Sequence, residues 1–230
     1  PNGVVMISPS ATSPGLTALD DKGFFFRTAP SDARGGQILA DITKDRKVKS
    51  VAITYTNNDY GKGLADVYAA AVKAHGIKVT IVSAHEDGKA DYSSEVATLA
   101  SAGGDAVAVI GYLDQGGKGI IQGSLDSGAF DKFILSDGMI GDSLTDAFGK
   151  DLNKSFGSMP GSMNKKTAGT FASVAKAAGI DSSGPYTGES YDAGALIVLA
   201  MQAGGSADRA SIAKNVMDVA NGPGTKIYPG

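Results

Sequence analysis

The stretch SVAITYTNNDYGKGLADVYAAAVKAHGIKVTIVSA, residues 50–84, decides the fold. It opens with an apolar run, Ser50–Thr56, and ends with another, Lys78–Ala84, and both are typical of buried strands. Between them, Gly76 is placed to end a helix. A strand, a helix and a strand in this order predict a βα unit with parallel strands. The apolar face of the predicted helix comprises Leu64, Val67, Tyr68, Ala71 and Val72.

The same alternation continues toward the carboxyl end. Further strands are predicted at Asp105–Gly111 and Lys132–Gly138, with a weaker one at Ser155–Met159. Successive strands start about 28 residues apart, which is the length of one βα unit. The sequence therefore predicts an α/β fold with a doubly wound parallel sheet. Three helices are predicted between and after these strands. The first has Asp91 as its N-cap and Val96 and Leu99 on its apolar face. The second is indicated by the apolar residues Ile120, Ile121 and Leu125, and the third spans Asp142–Gly149.

Residues 164 to 220 carry helix patterns without strands. We expect these helices to return to the domain that contains the opening strand, Val4–Ser8. No other run in the sequence is an evident partner for that strand, so the domain is expected to be incomplete. Uncovered apolar helix faces would then promote association. The three predicted helices are Lys165–Ala178, Glu189–Ala203 and Ala207–Ala220.

Composition and motifs exclude several classes of function. The net charge is −3 and no Lys/Arg-rich run occurs, so we expect no nucleic-acid partner. No apolar run reaches 18 residues, so direct membrane insertion is not expected. The two histidines, His75 and His85, lack further ligands at metal spacing and are expected to be solvated, so no metal or cofactor is predicted. No nucleophile motif is present, and we expect no catalytic residue and no enzyme.

Polar and aromatic residues follow four of the predicted strands at the edge where open α/β sheets bind ligands. Ser10 and Thr12 follow the opening strand, and Tyr60, Tyr112 and Asp137–Gly138 follow three later ones. Together they suit a small ligand with an ammonium, a carboxylate and an apolar body. Each also has a purely structural explanation. The tyrosines can cover a helix end or the sheet edge, and the Asp-Gly pair can be a turn dipeptide.

Four motifs, in order along the chain, carry a family resemblance: VVMISPSATSPGLT, GFFFRTAPSD, YTNNDYGKGLA and SDG. Over essentially all 230 residues the chain resembles the branched-chain amino acid (Leu/Ile/Val-type) periplasmic binding proteins of ABC transporters. The resemblance implies the type I solute-binding fold, with two α/β lobes that are joined by crossing hinge segments and close on ligand. Residues 1–29 would end the first pass through lobe one, 30–157 would form lobe two, and 158–230 would return to lobe one. It also implies that the chain lacks the family's terminal segments, including the signal peptide.

The resemblance also assigns ligand-binding roles. The loop that matches the family's head-group loop would direct a backbone carbonyl, at Ser10, to the ammonium and the Thr12 hydroxyl to the carboxylate. Asp137 stands where the family often has glutamate. The complete predicted set is Ser10, Ala11, Thr12, Tyr60, Tyr112, Asp137, Gly138 and Tyr186.

These observations predict an extracytoplasmic, periplasmic solute-binding component of an ABC importer. Its ligand would be a free amino acid, with an aliphatic side chain, and its protein partner would be the membrane permease. The alternative is a cytosolic ligand-sensing regulator on the same two-lobe fold, which would bind an amide or an amino acid. That alternative needs a nucleic-acid-binding helix pair or an antiterminator partner, and neither is visible in the sequence. The sequence does not identify the amino acid.

Overall fold

The computed structural model describes residues 2–161 and 165–225, with the backbone alone described at 165–168. Within these residues the chain divides into two compact units. The first comprises Pro1–Ala11, Ala18–Pro30 and Pro160–Gly230, and the second comprises Thr12–Thr17 and Ser31–Met159.

The described residues form seven strands and eight α-helices. The strands are β1 (Met6–Ser8), β2 (Phe25–Arg27), β3 (Ser50–Thr56), β4 (Lys78–His85), β5 (Ala106–Ile110), β6 (Phe133–Leu135) and β7 (Phe156–Gly157). The helices are α1 (Asp32–Asp45), α2 (Asp59–Ala74), α3 (Ser93–Ala102), α4 (Gly117–Ser127), α5 (Asp142–Phe148), α6 (Lys165–Ala177), α7 (Thr187–Gly204) and α8 (Arg209–Asn221).

The second unit is built on a five-stranded sheet in the order β4-β3-β5-β6-β7. Every neighbouring pair is parallel. The chain leaves β3 for β4 on one side and then returns to β5 on the other side of β3. The carboxyl ends of β3 and β5 therefore flank the topological switch point, where open α/β sheets bind ligands. The predicted doubly wound parallel sheet is confirmed.

Both faces of this sheet are buried, which explains why its central strands read as nearly continuous apolar runs. Alternate residues of a strand point to opposite faces. Val51 and Ile53 thus join the core formed with Tyr68 of α2, whereas Ala52 and Val107 belong to the core on the other face. On α2 the predicted apolar stripe is buried at Leu64, Tyr68 and Val72 and half-buried at Val67 and Ala71.

Helix ends follow local chemistry closely. Gly76, just beyond α2, has φ +75° and accepts the left-handed turn that ends the helix. At α3 the prediction is wrong by one residue, because Tyr92 and not Asp91 is the N-cap. The Asp91 carboxylate still accepts hydrogen bonds from the backbone N–H and the hydroxyl of Ser93, at 3.2 and 2.6 Å. Asp91 thus stabilises the start of the helix from one position earlier.

The first unit contains a two-stranded parallel sheet and helices α6 to α8. Met6 lies opposite Phe25 in the pairing of β1 with β2, so the expectation of an unpartnered opening strand is wrong. The strand is also shorter than predicted. Its core residue Ile7 packs in one apolar cluster with α7 and α8, whose buried members are Ala193, Ala200, Ile212 and Val216.

Apolar side chains of the first unit are exposed, most of all Val198 on α7, at 64%. Exposed patches of this kind promote association, so we expect the 230-residue chain to form oligomers in a concentration-dependent manner. Light scattering would measure this, with Val198→Gln expected to reduce the apparent mass. A monomer at every concentration would contradict the expectation. Other exposed apolar residues of this unit are Val4, Met6, Leu19, Val174, Ile180, Tyr191, Leu199 and Met217.

A membrane-spanning segment would require a long apolar helix, and none of the helices in the described part of the chain meets that requirement.

Candidate functional site

The centre of the candidate site is a hydrogen bond between Tyr60 and Asp137. Tyr60 lies in the first turn of α2, directly after β3, and Asp137 follows β6. The Tyr60 hydroxyl donates to Asp137 Oδ1 at 2.7 Å, and the Asp137 residue is only 8% exposed. Parallel strands bring their carboxyl ends to one edge, which is why residues 77 positions apart meet here. The result is a buried carboxylate held in a fixed place.

Burial and the neighbouring Asp137 carboxylate together raise the pKa of the Tyr60 phenol well above its ordinary value. Tyr60 therefore keeps its proton at neutral pH and acts as a donor. Its hydroxyl also lies 3.1 Å from the hydroxyl of Ser136, which accepts a hydrogen bond from the backbone N–H of Gly111 at 3.3 Å. Ser136 thus joins the ends of β3, β5 and β6.

Tyr112 follows β5 and packs against Tyr60. The two ring centroids are 5.3 Å apart and the rings are inclined by 30°, an arrangement within the range of favourable aromatic pairs. Burial raises the pKa of the Tyr112 phenol, and a hydrogen bond with the Asn58 side chain opposes this shift. The pair presents an apolar surface beside the Asp137 carboxylate.

Gly138 is required by the close approach of two backbone segments. A Cβ added there would lie 2.4 Å from the carbonyl oxygen of Gly111 and 3.2 Å from the Tyr60 hydroxyl. The turn at Asp137–Met139 is a single 3₁₀ turn, as a turn dipeptide would give. Since the Asp137 carboxylate is also bound by Tyr60, the residue does more than form that turn.

Thr12 belongs to the same unit and lies near the start of α1, the helix that begins at Asp32. Its carbonyl oxygen accepts from the Asp32 N–H at 2.9 Å, and the next residue, Ser13, donates its hydroxyl to the carbonyl of Asp59 at the start of α2. Thr12 is 2% exposed, and among the described residues its Oγ1 has no hydrogen-bond partner. A buried hydroxyl without a partner needs an explanation, and a ligand oxygen is one.

Three predicted site residues belong to the first unit. The backbone N–H groups of Ser10 and Ala11 donate to the hydroxyl of Ser8, at 3.4 and 3.0 Å, and the Ala11 carbonyl accepts from Arg27 Nη1 at 3.2 Å. Tyr186 is the N-cap of α7 and has a left-handed backbone, with φ +62°. Their roles in ligand binding stay predictions, as do those of the other predicted residues.

The expectation that both histidines are solvated is wrong for His85. His85 is 2% exposed at the end of β4, because residues of three other segments pack around it. His75 is partly exposed, and its Nε2 lies 2.8 Å from Asp41 Oδ1. In the described residues no three His, Asp or Glu side chains gather as a metal site would require.

Sequence reasoning missed Ser136 and Asn58. Ser136 ends the apolar run KFILS and belongs to no recognisable motif. Its position directly before Asp137, at the end of a predicted strand, is the signal that could have identified it. Asn58 is a typical N-cap residue for α2, and its Oδ1 accepts from the Gly61 N–H at 2.9 Å. Both residues hold the tyrosines in place.

A sequence model described as periplasmic binding protein matches residues 1–222. Among curated relatives, Leu/Ile/Val-binding protein homolog 1 of Brucella melitensis is 30% identical over 220 residues, which cover 93% of this chain and 57% of the relative. The chain spans between 32% and 57% of the length of the curated relatives it matches.

Solved structures share the fold. A leucine-binding protein, LivK, from Thermotoga maritima superposes with a TM-score of 0.80 at 22% identity, covering 94% of this chain and 62% of that one. The branched-chain amino acid transporter substrate-binding protein LivJ from Streptococcus pneumoniae, in complex with isoleucine, gives 0.74 at 22% identity, with the same 94% and 62% coverage.

The expected resemblance to the branched-chain amino acid group is thereby confirmed. The family consists of solute-binding proteins, which agrees with the expectation that the chain is not an enzyme. Since the family match extends over far more than half of the 230 residues, the chain belongs to the periplasmic binding protein family.

Proposed function

We propose that the protein is the solute-binding component of an ABC importer and that it binds a free, branched-chain amino acid. The observation that carries the proposal is the buried Asp137 carboxylate, which Tyr60 holds at the switch-point edge of the sheet. A ligand ammonium that loses its water needs a charged partner, and a fixed carboxylate supplies one.

The neighbouring groups suit the rest of such a ligand. The Tyr60 and Tyr112 rings offer an apolar surface for an aliphatic side chain. The Thr12 hydroxyl is buried and has no partner within the described part of the chain, so it suits the ligand carboxylate. The names of the relatives support this class of ligand, since one is a Leu/Ile/Val-binding protein homolog and one solved neighbour holds isoleucine.

The same relatives support the proposed cellular role. We place the protein in the periplasm, where it would deliver the amino acid to a membrane permease. Co-purification of the natural full-length protein with its permease, and uptake of labelled amino acid that depends on it, would test this role.

Isothermal titration calorimetry of the natural full-length protein tests the ligand class. We expect L-leucine, L-isoleucine or L-valine to bind, because each offers an ammonium, a carboxylate and an aliphatic body. N-acetyl-L-leucine and L-leucinamide should each bind more than about tenfold more weakly, since each lacks one of the two charges and leaves a buried polar group of the site unpaired. Equal affinity for the free and the N-acetylated amino acid would rule out the proposal.

A further inference from the structure

His85 is a buried imidazole, and one of its nitrogens has no hydrogen-bond partner in the part of the chain that the structure describes. It ends β4 and is 2% exposed. Its Nδ1 lies 2.8 Å from the hydroxyl of Thr54, a buried residue of β3. Its Nε2 is buried without a hydrogen-bond partner in residues 2–161 and 165–225, and the ring meets that of Tyr92 edge-on with centroids 6.2 Å apart. Leaving a buried nitrogen without a hydrogen bond costs free energy, so a structural or functional reason for this arrangement is expected.

The ring packs on the segment that carries the candidate site. A Cβ added to Gly111 would lie 3.1 Å from His85 Nε2, so the imidazole packs closely against position 111 and would have to shift by a few tenths of an ångström if that residue had a side chain. Gly111 directly precedes Tyr112, and its N–H donates to the Ser136 hydroxyl. Its carbonyl oxygen faces Gly138. His85 therefore packs against the turn at Gly111, and this turn sets the positions of Tyr112 and Ser136.

Tyr92 anchors the other end of the same loop. Its hydroxyl lies within hydrogen-bond distance of the carbonyl oxygens of Glu86 and Gln115, at 3.0 and 2.9 Å. The Tyr92 ring, which contacts His85, is thus bound through its hydroxyl to the backbone at both Glu86 and Gln115. A change in His85 has little room to relax without moving residues 111–116.

Protonation would disturb this arrangement. With a proton on each nitrogen, Nδ1 can donate to Thr54, but Nε2 finds no acceptor among the described groups, and a buried cation results. Burial accordingly lowers the pKa of His85 below its usual value. The acidic groups that face it from the loop after β4 and from α3 are Asp87, Glu95 and Glu86, which oppose the shift without reversing it. Asp87 is itself held by the Thr56 hydroxyl at 2.6 Å.

We propose that His85 is a positioning residue for ligand binding. As a neutral ring it holds the Gly111 turn and with it Tyr112 and Ser136, and its protonation releases this turn and weakens the binding of the amino acid. The inference rests on the proposed function for the identity of the ligand. Because coupling is reciprocal, the bound ligand should in turn make His85 harder to protonate.

The sign of the pH dependence follows from the lowered pKa. The neutral ring is retained at and above pH 7, so affinity should be constant there. As the pH falls below the ordinary histidine value, the proton competes with the ligand and affinity should fall. The free energy of unfolding should fall in the same range, since the unfolded chain takes up the proton more readily than the folded one.

Calorimetry with L-leucine at pH 7.5 and pH 5.0 tests the inference in the natural full-length protein. We expect the wild type to bind more weakly at pH 5.0, with about tenfold as the largest loss that a change of one pKa unit on binding can give. His85→Gln cannot gain a proton and should show equal affinity at both pH values, whereas His75→Gln should behave as the wild type does. Melting temperatures at both pH values verify that each sample is folded. A pH-independent wild type, or a pH dependence retained in His85→Gln, would overturn the inference.

A second measurement needs no ligand. In the natural full-length protein labelled with ¹³C-histidine, the ring signal that is lost in His85→Gln belongs to His85, and the signal that is lost in His75→Gln belongs to His75. The ring signal of Tyr112, assigned with Tyr112→Phe, should shift with the same midpoint as His85. If no amino acid binds at pH 7.5, the proposed function fails, but a Tyr112 signal that follows His85 still supports the coupling. A Tyr112 signal that does not shift at the titration midpoint of His85 contradicts the coupling, whether or not the amino acid binds.

Discussion

Asp137→Ala is expected to weaken amino-acid binding by about 30-fold to several-thousand-fold. Removing one member of a buried, hydrogen-bonded charge pair costs roughly 2–5 kcal/mol, which gives that range of dissociation constants. The expectation depends on the burial of Asp137, which is 8% exposed, and on the Tyr60 hydroxyl that fixes it at 2.7 Å. Calorimetry with L-leucine measures the loss directly.

Asp137→Asn separates the binding role from a role in the turn. The amide keeps an acceptor oxygen but no charge, so it should lose less affinity than alanine and still lose some. If Asp137 serves only the turn, Asp137→Asn should leave the affinity nearly unchanged, because asparagine suits turns as well as aspartate does. Any loss would then appear in the melting temperature.

Asp142→Ala is the matched control for both variants. Asp142 is an exposed aspartate five positions further along the chain, in the first turn of α5. Its replacement should leave the affinity unchanged. Wild-type affinity in Asp137→Ala would remove Asp137 from the binding site.

Much of the second unit could be predicted because its elements carry strong local signals. β3 spans Ser50–Thr56 as expected, since its apolar run is bounded by Lys49 and Asn57. β2, by contrast, has three residues and forms through its pairing with β1. No local sequence pattern predicts such a pairing. Helix α1 was missed because Gly35 and Gly36 weaken its helical pattern, although Ser31 caps it well.

The candidate site divides in the same way. Tyr60, Tyr112 and Asp137 could be placed at one edge because parallel strands carry their carboxyl ends to the same side of a sheet. The positions of Ser136 and His85 depend on contacts with residues of other βα units, at Tyr60 and Gly111. Such contacts leave no periodicity in the sequence. His75 and His85 therefore look alike in sequence, although only His85 is fully buried.

Gly138 offers the second large effect, because a single methyl group there meets backbone. The added Cβ of Gly138→Ala would lie 2.4 Å from the Gly111 carbonyl oxygen, where no side-chain rotation can relieve the clash. Either the Gly111 turn or the turn at Asp137 must move, and these two turns carry Tyr112 and Asp137. We therefore expect a loss of affinity of at least about tenfold.

Overpacking of this kind also costs about 1–3 kcal/mol of stability, so Gly138→Ala should melt several degrees lower than the wild type. Gly141→Ala is the matched control, because its Cβ would lie 3.7 Å from Leu113 and its backbone is extended, with φ 179°. That variant should bind L-leucine as the wild type does and lose up to about 1 kcal/mol of stability, because alanine is less favourable than glycine at an N-cap. Calorimetry and thermal melting of both variants measure the difference. If Gly138→Ala binds and melts as Gly141→Ala does, the two turns are not in the close contact described, and Gly138 has no part in positioning Asp137.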